Sequence, residues 1–424
     1  MIFTIFLVSV VGLFILGFPI VFAFISSSAL YLYLERLNPS LIVQKLVLGT
    51  NSFVLLAVPF FIFAAEIMNS TGITKRIFSF AQTLVGHFPG SLAQVNIVDS
   101  IFFAGMSGSA IADASGPGLM EIEAMTSQGY DKSFAAAVSA SSSTVGPIIP
   151  PSIPMILYAI IAGASVGQLF LAGLLPGMLM GGAMMVTTYF IARRRGFQRD
   201  QRANLREIRI AFGRAFFALL TPVLLLGGIF SGVFTPTEAA AVTAFYALLI
   251  AFLIYREFTL KDLLAILKTV VVRTGFITFI LITSLLLSWV VTREQVPARI
   301  AAWLLSVTDN KWVLLLILNI LFLILGMVLD VGAIIVIFLP IVVPVVQAAG
   351  IDLVHFGVVV ILNLMIGLIT PPFGALLFVM NGLTKVPVAT LVKEAFPYLV
   401  TLIIVLFTIT YWEGFVLFLP RLLK

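Results

Sequence analysis

The chain has 424 residues, of which 61% are hydrophobic and only 10% are charged, and its formal net charge is +6. A soluble domain carries about 25% charged and about 45–50% apolar residues, so this composition excludes a water-soluble globular protein and predicts an integral membrane protein. The absence of cysteine excludes disulfides and thiolate sites. The only two histidines, His87 and His355, are too far apart in sequence to predict a metal site.

The first apolar stretch covers residues 2–34, and no basic residue precedes its hydrophobic part. It is about twice as long as the core of a cleavable signal peptide. We therefore expect a retained membrane segment, interrupted near Gly17 and Pro19. About nine to twelve apolar runs recur along the chain, each near the ~20 residues that cross a ~30 Å hydrocarbon core.

Glycine, serine and proline interrupt the following apolar region at two places. The first reads FFAGMSGSAIADASGPG at residues 102–118, and the second reads SASSSTVGPIIPPSIP at residues 139–154. Proline removes a backbone donor and obstructs the carbonyl four residues earlier. A helix therefore cannot run unbroken through the second stretch, and we predict a broken helix there.

The longest polar stretch, residues 193–214, holds eight arginines against Asp200 and Glu207. Short basic loops stay on the cytoplasmic side of a membrane, so we predict a cytoplasmic linker that divides the chain almost in half. Nucleic-acid binding would use the same arginines. Their position between two membrane segments favours a solvated loop that sets the topology, and we expect no nucleic-acid partner.

The second half begins with two local patterns. Thr235-Pro-Thr-Glu238 is a capping box with proline at the first helical position, and it predicts a helix over residues 239–254. Residues 258–272 are amphipathic, with Lys261 and Lys268 among apolar side chains. We predict that this stretch lies along the membrane interface.

A pair of motifs recurs at one fixed interval. Gly105 precedes Gly146 by 41 residues, and the second motif of this pair ends in Pro-Pro. Gly326 precedes Gly367 by the same interval, again before Pro-Pro, so the shift between the copies is 221 residues (326 − 105 and 367 − 146). The shared offset predicts a duplicated unit, as in many secondary transporters. An odd number of crossings in each half would invert the copies.

Broken helices at membrane depth predict a binding site. In hydrocarbon a freed carbonyl costs several kcal/mol unless protein or a wet cavity satisfies it. Freed carbonyls together with serine and threonine hydroxyls form a hard-oxygen shell that suits a small cation such as Na⁺. Helix N-termini alongside offer partial positive charge to an anion. The repetition of the motif therefore predicts sites for a cation and an anionic substrate near the midplane.

Acidic residues in apolar surroundings are costly and usually functional, which makes Asp330 a candidate cation ligand. Asp113 has two interpretations, a functional group or a loop residue that caps a helix. We expect Asp99, Glu121 and Glu123 at a rim or on the surface.

Simpler interpretations of the broken segments stay open. Ser139, Ser141 and Ser142 have the composition of a close helix contact, and proline pairs can be simple kinks. The absence of cysteine, of clustered histidine and of an intramembrane acid pair argues against a membrane-embedded enzyme. The repeated broken helices argue against a passive scaffold, for which straight helices would suffice.

These stretches resemble the large membrane (M) subunit of the tripartite ATP-independent periplasmic (TRAP) transporters. The resemblance rests on FFAGMSGSAIADASGPG, GPIIPPSIPMILYA, GVFTPTEAAAV and NLMIGLITPPFG, which begin at residues 102, 146, 232 and 363. It spans nearly the whole chain in the expected order.

The resemblance implies an all-α integral membrane fold with two inverted structural repeats, in which re-entrant helical hairpins and broken helices form a mobile, elevator-type domain against a scaffold. The first repeat would cover residues 1–192, with a hairpin at about 90–126 and a broken helix at about 133–163. After the linker at 193–214, the second would cover residues 215–424, with a hairpin at about 312–348 and a broken helix at about 356–381.

The resemblance also implies import of a small organic acid by Na⁺-coupled symport across the bacterial inner membrane, with Na⁺ as coupling ion and no other cofactor. A periplasmic substrate-binding (P) subunit would deliver the acid, and a small membrane (Q) subunit would complete the transporter. The alternative is a free-standing Na⁺/carboxylate carrier or ion antiporter of related architecture, which would need no partner.

Site residues carried over from the family fall on the hairpin tips and broken helices. Backbone carbonyls would dominate two cation sites, and a further cation would bind near Asp330. The residues of these two sites are Ser107, Gly146, Ile149 and Pro151 for the first, and Gly326, Gly367, Thr370 and Phe373 for the second. The substrate would contact Ser109, Asn363 and Thr370. No arginine within the membrane stands out from the sequence as a carboxylate clamp.

Overall fold

The computed structural model describes residues 2–51, 53–308 and 310–423, and within these ranges the chain is helical, without a β-strand. Eight helices in these ranges are long and apolar enough to cross a membrane, and six shorter apolar helices accompany them. The sequence predicts nine to twelve crossings. Fewer full-length helices form because glycine and proline divide several apolar runs into shorter pieces.

The N-terminal region breaks where glycine and proline predict it. The first helix ends at Ile15 and the second begins at Ile20, and Gly17 between them has a left-handed φ of +81°. The helices of this region are α1 (Ile2–Ile15), α2 (Ile20–Leu34), α3 (Ser40–Thr50), α4 (Ala57–Ser70) and α5 (Ile73–Val85).

The region after the basic linker contains the longest helix of the described chain. Its helices are α12 (Leu205–Phe230), α13 (Pro236–Leu249), α14 (Leu260–Arg293) and α15 (Val296–Val307). A capping box begins α13: Thr235 Oγ1 accepts a hydrogen bond from the Glu238 amide, and Glu238 accepts one from the Thr235 amide. This start is confirmed as predicted.

Residues 258–272 form no separate interfacial helix, because most of them belong to the first turns of α14. This helix has 34 residues and, at 1.5 Å per residue, is about 51 Å long. A length well above the ~30 Å hydrocarbon core carries its amphipathic start beyond the core.

Two segments with matching helix bounds surround the predicted motifs. The first consists of α6 (Ser91–Ser107), α7 (Ala110–Ser115), α8 (Pro117–Ser127), α9 (Lys132–Ser142), α10 (Ile153–Ala162) and α11 (Val166–Arg195). The second consists of α16 (Lys311–Val328), α17 (Val331–Ala348), α18 (Leu353–Gly367), α19 (Ala375–Thr384) and α20 (Val388–Tyr411), followed by the short α21 (Glu413–Val416) and α22 (Phe418–Leu422).

The bounds of the two segments differ by nearly the offset of the sequence motifs. The starts of α9 and α18 are 221 residues apart (353 − 132), as are the ends of α6 and α16 (328 − 107). One difference stands out: α17 is continuous, whereas its counterpart is divided into α7 and α8 at Gly116-Pro117.

The two helical hairpins, α6–α8 and α16–α17, begin at opposite ends of α20. Near its start, Glu394 pairs with Arg195 at 2.7 Å, next to the basic linker. Just beyond its end, Glu413 lies 3.9 Å from Lys311, the first residue of α16. The first hairpin begins on the linker side, where Ser91 Oγ donates to Asp200 Oδ2 at 2.8 Å. The hairpins therefore enter from opposite sides, as in an inverted repeat.

Helix contacts divide the described chain into an inner and an outer group. In the inner group, the broken helices and the hairpins pack on each other and on α11 and α20. Around them, α4 packs on α13 and α14, α12 on α13, and α14 on α2 and α3. The inner group contains the interrupted segments predicted to bind ions, and the outer group has the form of a supporting frame.

Candidate functional site

The tip of the first hairpin rests on the interrupted part of the first broken helix. Gly108 ends α6 with a left-handed φ of +59°, and a Cβ at this position would collide with the Pro151 carbonyl oxygen. Gly146 approaches the same tip, since a Cβ there would lie 3.5 Å from the Ser109 carbonyl carbon. The approach at Gly108 requires glycine, whereas Gly146 lies at ordinary contact distance from the tip.

Ser107 offers an unused oxygen at this tip. Its side chain is 2% exposed, and its Oγ has no hydrogen-bond partner within the described ranges. A buried unpaired hydroxyl is unfavourable, so this atom fits a role as a cation ligand. The structure brings Ser107, Gly146 and Pro151 to one place, whereas the Ile149 side chain packs towards Gly177 of α11.

The second predicted cation site is built by direct contact of two glycines. A Cβ at Gly367 would lie 2.5 Å from the Gly326 carbonyl carbon, and one at Gly326 would lie 3.3 Å from Gly367 Cα. Thr370 Oγ1 donates to the Ile366 carbonyl at 2.6 Å, which leaves its own lone pairs available. Phe373 lies in the interruption with 56% of its side chain exposed, so its backbone is the part suited to a cation.

Asp330 stands at the tip of the second hairpin. Its Oδ1 accepts hydrogen bonds from the amides of Gly332 at 2.9 Å and Ala333 at 3.4 Å, and so caps α17. The residue is exposed and lines a cavity. Its carboxylate therefore has a structural role as helix cap and also faces the space between the hairpins.

Two adjoining cavities, of about 310 and 240 Å³, lie between the hairpins and α14. Both are lined by Ser109, by Ile111 on α7, by Ile153 on α10 and by Phe276 on α14. The larger reaches Ser107, and the smaller reaches Asp330 on the second hairpin. Mostly apolar walls with a few convergent polar groups are typical of small-molecule sites.

One wall of the larger cavity carries an ion pair that the sequence interpretation missed. Arg273 of α14 pairs with Glu66 of α4, and both side chains line the cavity. No arginine within the membrane stood out from the sequence as a carboxylate clamp, so Arg273 was not singled out. The available signal was an arginine placed within a long apolar helix, where a charge is costly.

Of the three predicted substrate residues, one lines the cavities and two do not. Ser109 lines both cavities, but Asn363 and Thr370 are not among the lining residues. Asn363 is fully buried, and its Nδ2 donates to the Asn319 backbone carbonyl at 2.8 Å and to Asn319 Oδ1 at 3.0 Å. Asn363 thus joins α18 to α16.

Three acidic residues are buried inside the first hairpin. The prediction that Asp99 and Glu121 lie at a rim or on the surface is wrong, because both are at most 1% exposed, whereas Glu123 is exposed. Asp113 is equally buried and accepts a hydrogen bond from Ser100 Oγ at 2.8 Å. Antiparallel folding of α8 on α6 brings these acids inward, so the argument from a missing intramembrane acid pair also fails.

Serines of the first broken helix belong to this buried network. Asn96 Nδ2 donates to Glu121 Oε2 and, at 2.6 Å, to Ser139 Oγ. Ser142 Oγ donates to Asn96 Oδ1 at 2.7 Å, whereas Ser141 Oγ donates to the Ala137 carbonyl of its own helix. The Ser139 and Ser142 hydroxyls thus hold the hairpin against the broken helix, and none of these three serines lines the two cavities.

Comparisons with known proteins agree on one family. Residues 7–415 match the family model described as "Tripartite ATP-independent periplasmic transporter, DctM component". The sialic acid TRAP transporter large permease protein SiaM of Vibrio cholerae is 44% identical over 412 residues, which cover 97% of this chain and 96% of that protein. The 2,3-diketo-L-gulonate TRAP transporter large permease protein YiaN of Escherichia coli is 39% identical, covering 94% of each chain.

Two further comparisons extend this result. The C4-dicarboxylate TRAP transporter large permease protein DctM of Pseudomonas aeruginosa is 38% identical over 377 residues, with 89% of this chain and 88% of that protein covered. Among solved structures, the Alcanivorax borkumensis YdaH transporter matches with a TM-score of 0.66 at 14% identity, over 88% of this chain and 87% of the other. The latter likeness shows the fold alone.

Proposed function

The chain belongs to the family of the DctM component, the large permease, of tripartite ATP-independent periplasmic transporters, and from this premise we propose that it imports a small organic acid by Na⁺-coupled symport. It is an integral membrane transport subunit and not an enzyme. The Na⁺ coupling, the partners and the class of substrate form the proposal.

The observation that carries the proposal is the meeting of two hairpin tips at one pair of cavities. Each tip adjoins an interrupted helix, and the cavity walls include Ser107, Ser109 and Asp330. Interrupted helices at such a place expose carbonyls and helix ends to a ligand. A cation and an anion can therefore bind next to each other, with protein groups in place of part of the water around each.

Na⁺ would bind where the interrupted segments present oxygens close together. The buried Oγ of Ser107 and the carbonyls of the Gly146–Pro151 interruption would serve the first site. The Gly326–Gly367 contact and Thr370 would serve the second, with Asp330 as a negative group for a further ion. Bound Na⁺ would fix both tips and make the space between them attractive to a carboxylate.

The anionic substrate would bind in the cavities beside Ser109. Arg273 supplies positive charge on the opposite wall, although Glu66 now pairs with it. The relatives are named for sialic acid, for 2,3-diketo-L-gulonate and for C4-dicarboxylate, and all three are carboxylic acids. We propose a small carboxylate of this kind.

The cavities would face the cytoplasm in this conformation. Glu66 lies one helical turn before the end of α4, and Gly72 just beyond that end donates its amide to Glu257 in the α13–α14 connection. The basic linker, cytoplasmic by the positive-inside rule, lies on the same side. An elevator movement of the inner group against the outer one would then expose the tips to the periplasm.

The test is uptake of radiolabelled sialic acid, 2,3-diketogulonate and succinate into liposomes that contain this chain. Each acid is supplied with and without the small membrane subunit and a periplasmic binding protein, under an inward Na⁺ gradient. We expect uptake only with both partners and the gradient, lost on Thr370→Pro and reduced on Asp330→Ala.

Two results would contradict the proposal. Transport by the chain alone would favour a free-standing carrier of related architecture. Uptake that is indifferent to Na⁺ at constant membrane potential would remove the symport mechanism while leaving the family assignment intact.

A further inference from the structure

A basic cleft lies away from the transport cavities, where α5, α12 and the α13–α14 connection meet. It has a volume of about 340 Å³ and is lined by Gly72, Lys75, Arg76, Ser79, Arg214 and Glu257. None of these residues lines the cavities between the hairpins. The proposed transport mechanism gives this cleft no role.

The charges of the cleft do not cancel. Glu257 accepts hydrogen bonds from the Arg76 guanidinium at 2.8 and 3.2 Å and from the Gly72 amide at 2.8 Å, and Arg76 stacks on the Tyr255 ring at 4.0 Å. Lys75 and Arg214, both exposed, form no ion pair with any carboxylate in the described part of the chain. Three basic side chains against one carboxylate therefore leave the cleft with a net charge of +2 that attracts an outside anion.

Lys75 and Arg214 face the cleft from two helices that pack together. Lys75 and Ser79 are four residues apart on α5 and so share one face of that helix, and α12 packs along α5 and carries Arg214. Lysine offers three donors and arginine five, and a hydroxyl adds one more. This set matches a phosphate group, which accepts several hydrogen bonds and carries negative charge.

The cleft lies at the level of lipid headgroups. Arg214 ends the basic linker, and the apolar part of α12 follows at once with the exposed rings of Phe216 and Phe217. Phe212 also exposes its ring and lies 5.7 Å from that of Phe216. A cytoplasmic basic linker that leads directly into an apolar helix meets the membrane surface at that point, so acyl chains can pack on the exposed rings of α12 while a headgroup enters the cleft.

From these observations we infer that the cleft between α5 and α12 binds the phosphate of an anionic phospholipid of the cytoplasmic leaflet, through Lys75, Ser79 and Arg214. Basic pockets between helices on the cytoplasmic side are suited to such headgroups. A bound lipid joins α5, which leads directly into the first hairpin, to the outer helix α12. Anionic lipid thus stabilises the frame against which the hairpins would move.

The test uses the full chain purified in a neutral detergent and measures retained lipid by native mass spectrometry. Dioleoyl phosphatidylglycerol and dioleoyl phosphatidylcholine are titrated separately, and thermal unfolding is followed in parallel. We expect phosphatidylglycerol to be retained preferentially and to raise the unfolding temperature. The variant Lys75→Gln/Arg214→Gln should bind phosphatidylglycerol about 30-fold more weakly, because each basic residue near a membrane surface contributes a factor of about five to the affinity.

One control variant and one further cleft variant distinguish binding in this cleft from general electrostatic attraction and from misfolding. Arg206→Gln/Arg209→Gln removes the same charge from exposed positions of the same helix and should bind like the original chain. Ser79→Trp keeps every charge but fills the cleft, and it should weaken binding as the cleft double variant does. The inference would be overturned if the cleft variants bound phosphatidylglycerol as strongly as the original chain does. It would also be overturned if the Arg206/Arg209 control lost as much binding as the cleft double variant. Thermal protection by sodium phosphate alone, as strong as that by phosphatidylglycerol, would assign the cleft to free phosphate and also overturn it.

Discussion

The Ser107 side chain lies at the tip of the first hairpin, and its buried hydroxyl oxygen lacks a partner among the described residues. Replacing it by alanine removes an unsatisfied polar atom, so Ser107→Ala should leave stability unchanged or raise it by about 1 kcal/mol. If the oxygen binds Na⁺, the Na⁺ concentration for half-maximal uptake should rise about ten-fold, as expected for one lost bond to a charged group.

A matched control for this variant is Ser115→Ala in the same hairpin. The Ser115 hydroxyl also borders the larger cavity, but it donates to the Ile111 carbonyl at 2.7 Å. Uptake measured across a Na⁺ series should be nearly unchanged in Ser115→Ala. An equal shift in both variants would show that any change in this hairpin alters ion dependence, and Ser107 would lose its role as ligand.

Arg273 and Glu66 form the ion pair on the cavity wall, and their replacements should have opposite effects on substrate affinity. Arg273→Gln should raise the KM for the organic acid about ten-fold or more, since a charged hydrogen bond contributes about 1.5–3 kcal/mol. Glu66→Gln should lower KM because it frees the guanidinium. Initial uptake rates at several substrate concentrations measure both. An unchanged KM in Arg273→Gln would show that the carboxylate binds elsewhere, and Arg273→Lys tests whether charge alone suffices.

At the scale of single residues, the sequence predicted where glycines lie in the interrupted segments. Gly326 and Gly367 lie in direct contact and Gly146 lies next to the first hairpin tip, at the positions that the paired motifs mark. It did not predict the burial of Asp99 and Glu121. Their burial depends on α8 folding back along α6, and a pairing between two helices leaves no local pattern in either one.

The contact of α16 with α18 gives the clearest prediction at the scale of helices. Gly367→Ala would place a methyl group 2.5 Å from the Gly326 backbone, and overpacking of this kind costs about 1–3 kcal/mol. We expect a lower unfolding temperature and a loss of Na⁺-dependent uptake. Gly382→Ala in α19 is the control, because nothing lies within 4 Å of a Cβ there. If the two variants unfolded alike, the two helices would not be as closely packed as described.

The Arg76–Glu257 pair connects the start of α5 to the α13–α14 connection, and it predicts a pH dependence. The Arg76 guanidinium lowers the pKa of Glu257 below its usual 4.5. A carboxylate whose pKa is lower in the folded state stabilises the fold above the unfolded value and loses this contribution as pH falls through the folded value. Below about pH 4.5, the unfolding temperature of the original chain should therefore fall more than that of Glu257→Gln. Parallel curves for the two proteins would contradict the assignment. The pair is partly exposed, and the effect should be small.

Helix starts were predictable where side chains cap them, and helix lengths were not. Thr235 and Glu238 form their capping box as the local pattern requires. Residues 258–272 were separated from the membrane helix by their amphipathic pattern, yet no capping or breaking residue divides them from the apolar run that follows. Continuity of the backbone hydrogen bonds therefore prevails over the change in polarity.

At the scale of the whole molecule, the duplication could be predicted from the sequence, and the surface between the inner and outer helix groups could not. The repeat offset predicts the duplication and the basic linker predicts the cytoplasmic side, whereas the inversion of the copies was an implication of the family resemblance. Which outer helices touch the inner group depends on packing among apolar faces of similar composition, and such faces carry little sequence-specific information. The contact between α4 and the first hairpin is of this kind.

This contact allows a direct test of elevator movement, because the chain contains no cysteine. A Cβ at Gly116 in the first hairpin would lie 3.8 Å from Asn69 Cγ on α4, the position that the sulfur of a cysteine at residue 69 would occupy, so the sulfurs of two cysteines here would lie within reach of each other. We expect Asn69→Cys/Gly116→Cys to lose uptake on oxidation and to recover it on reduction. The single cysteine variants should transport throughout.

A second cysteine pair distinguishes movement between the two helix groups from general stiffening. The Oγ1 atoms of Thr187 on α11 and Thr401 on α20 lie 2.6 Å apart, and both helices pack on the broken helices of the inner group. If that group moves as one body, oxidised Thr187→Cys/Thr401→Cys should still transport, because the bond joins parts that move together. Loss of uptake with this pair would mean that helices within the inner group shift during transport. Continued uptake with the Asn69–Gly116 bond intact would mean that α4 and the first hairpin never separate, and the elevator mechanism would then fail.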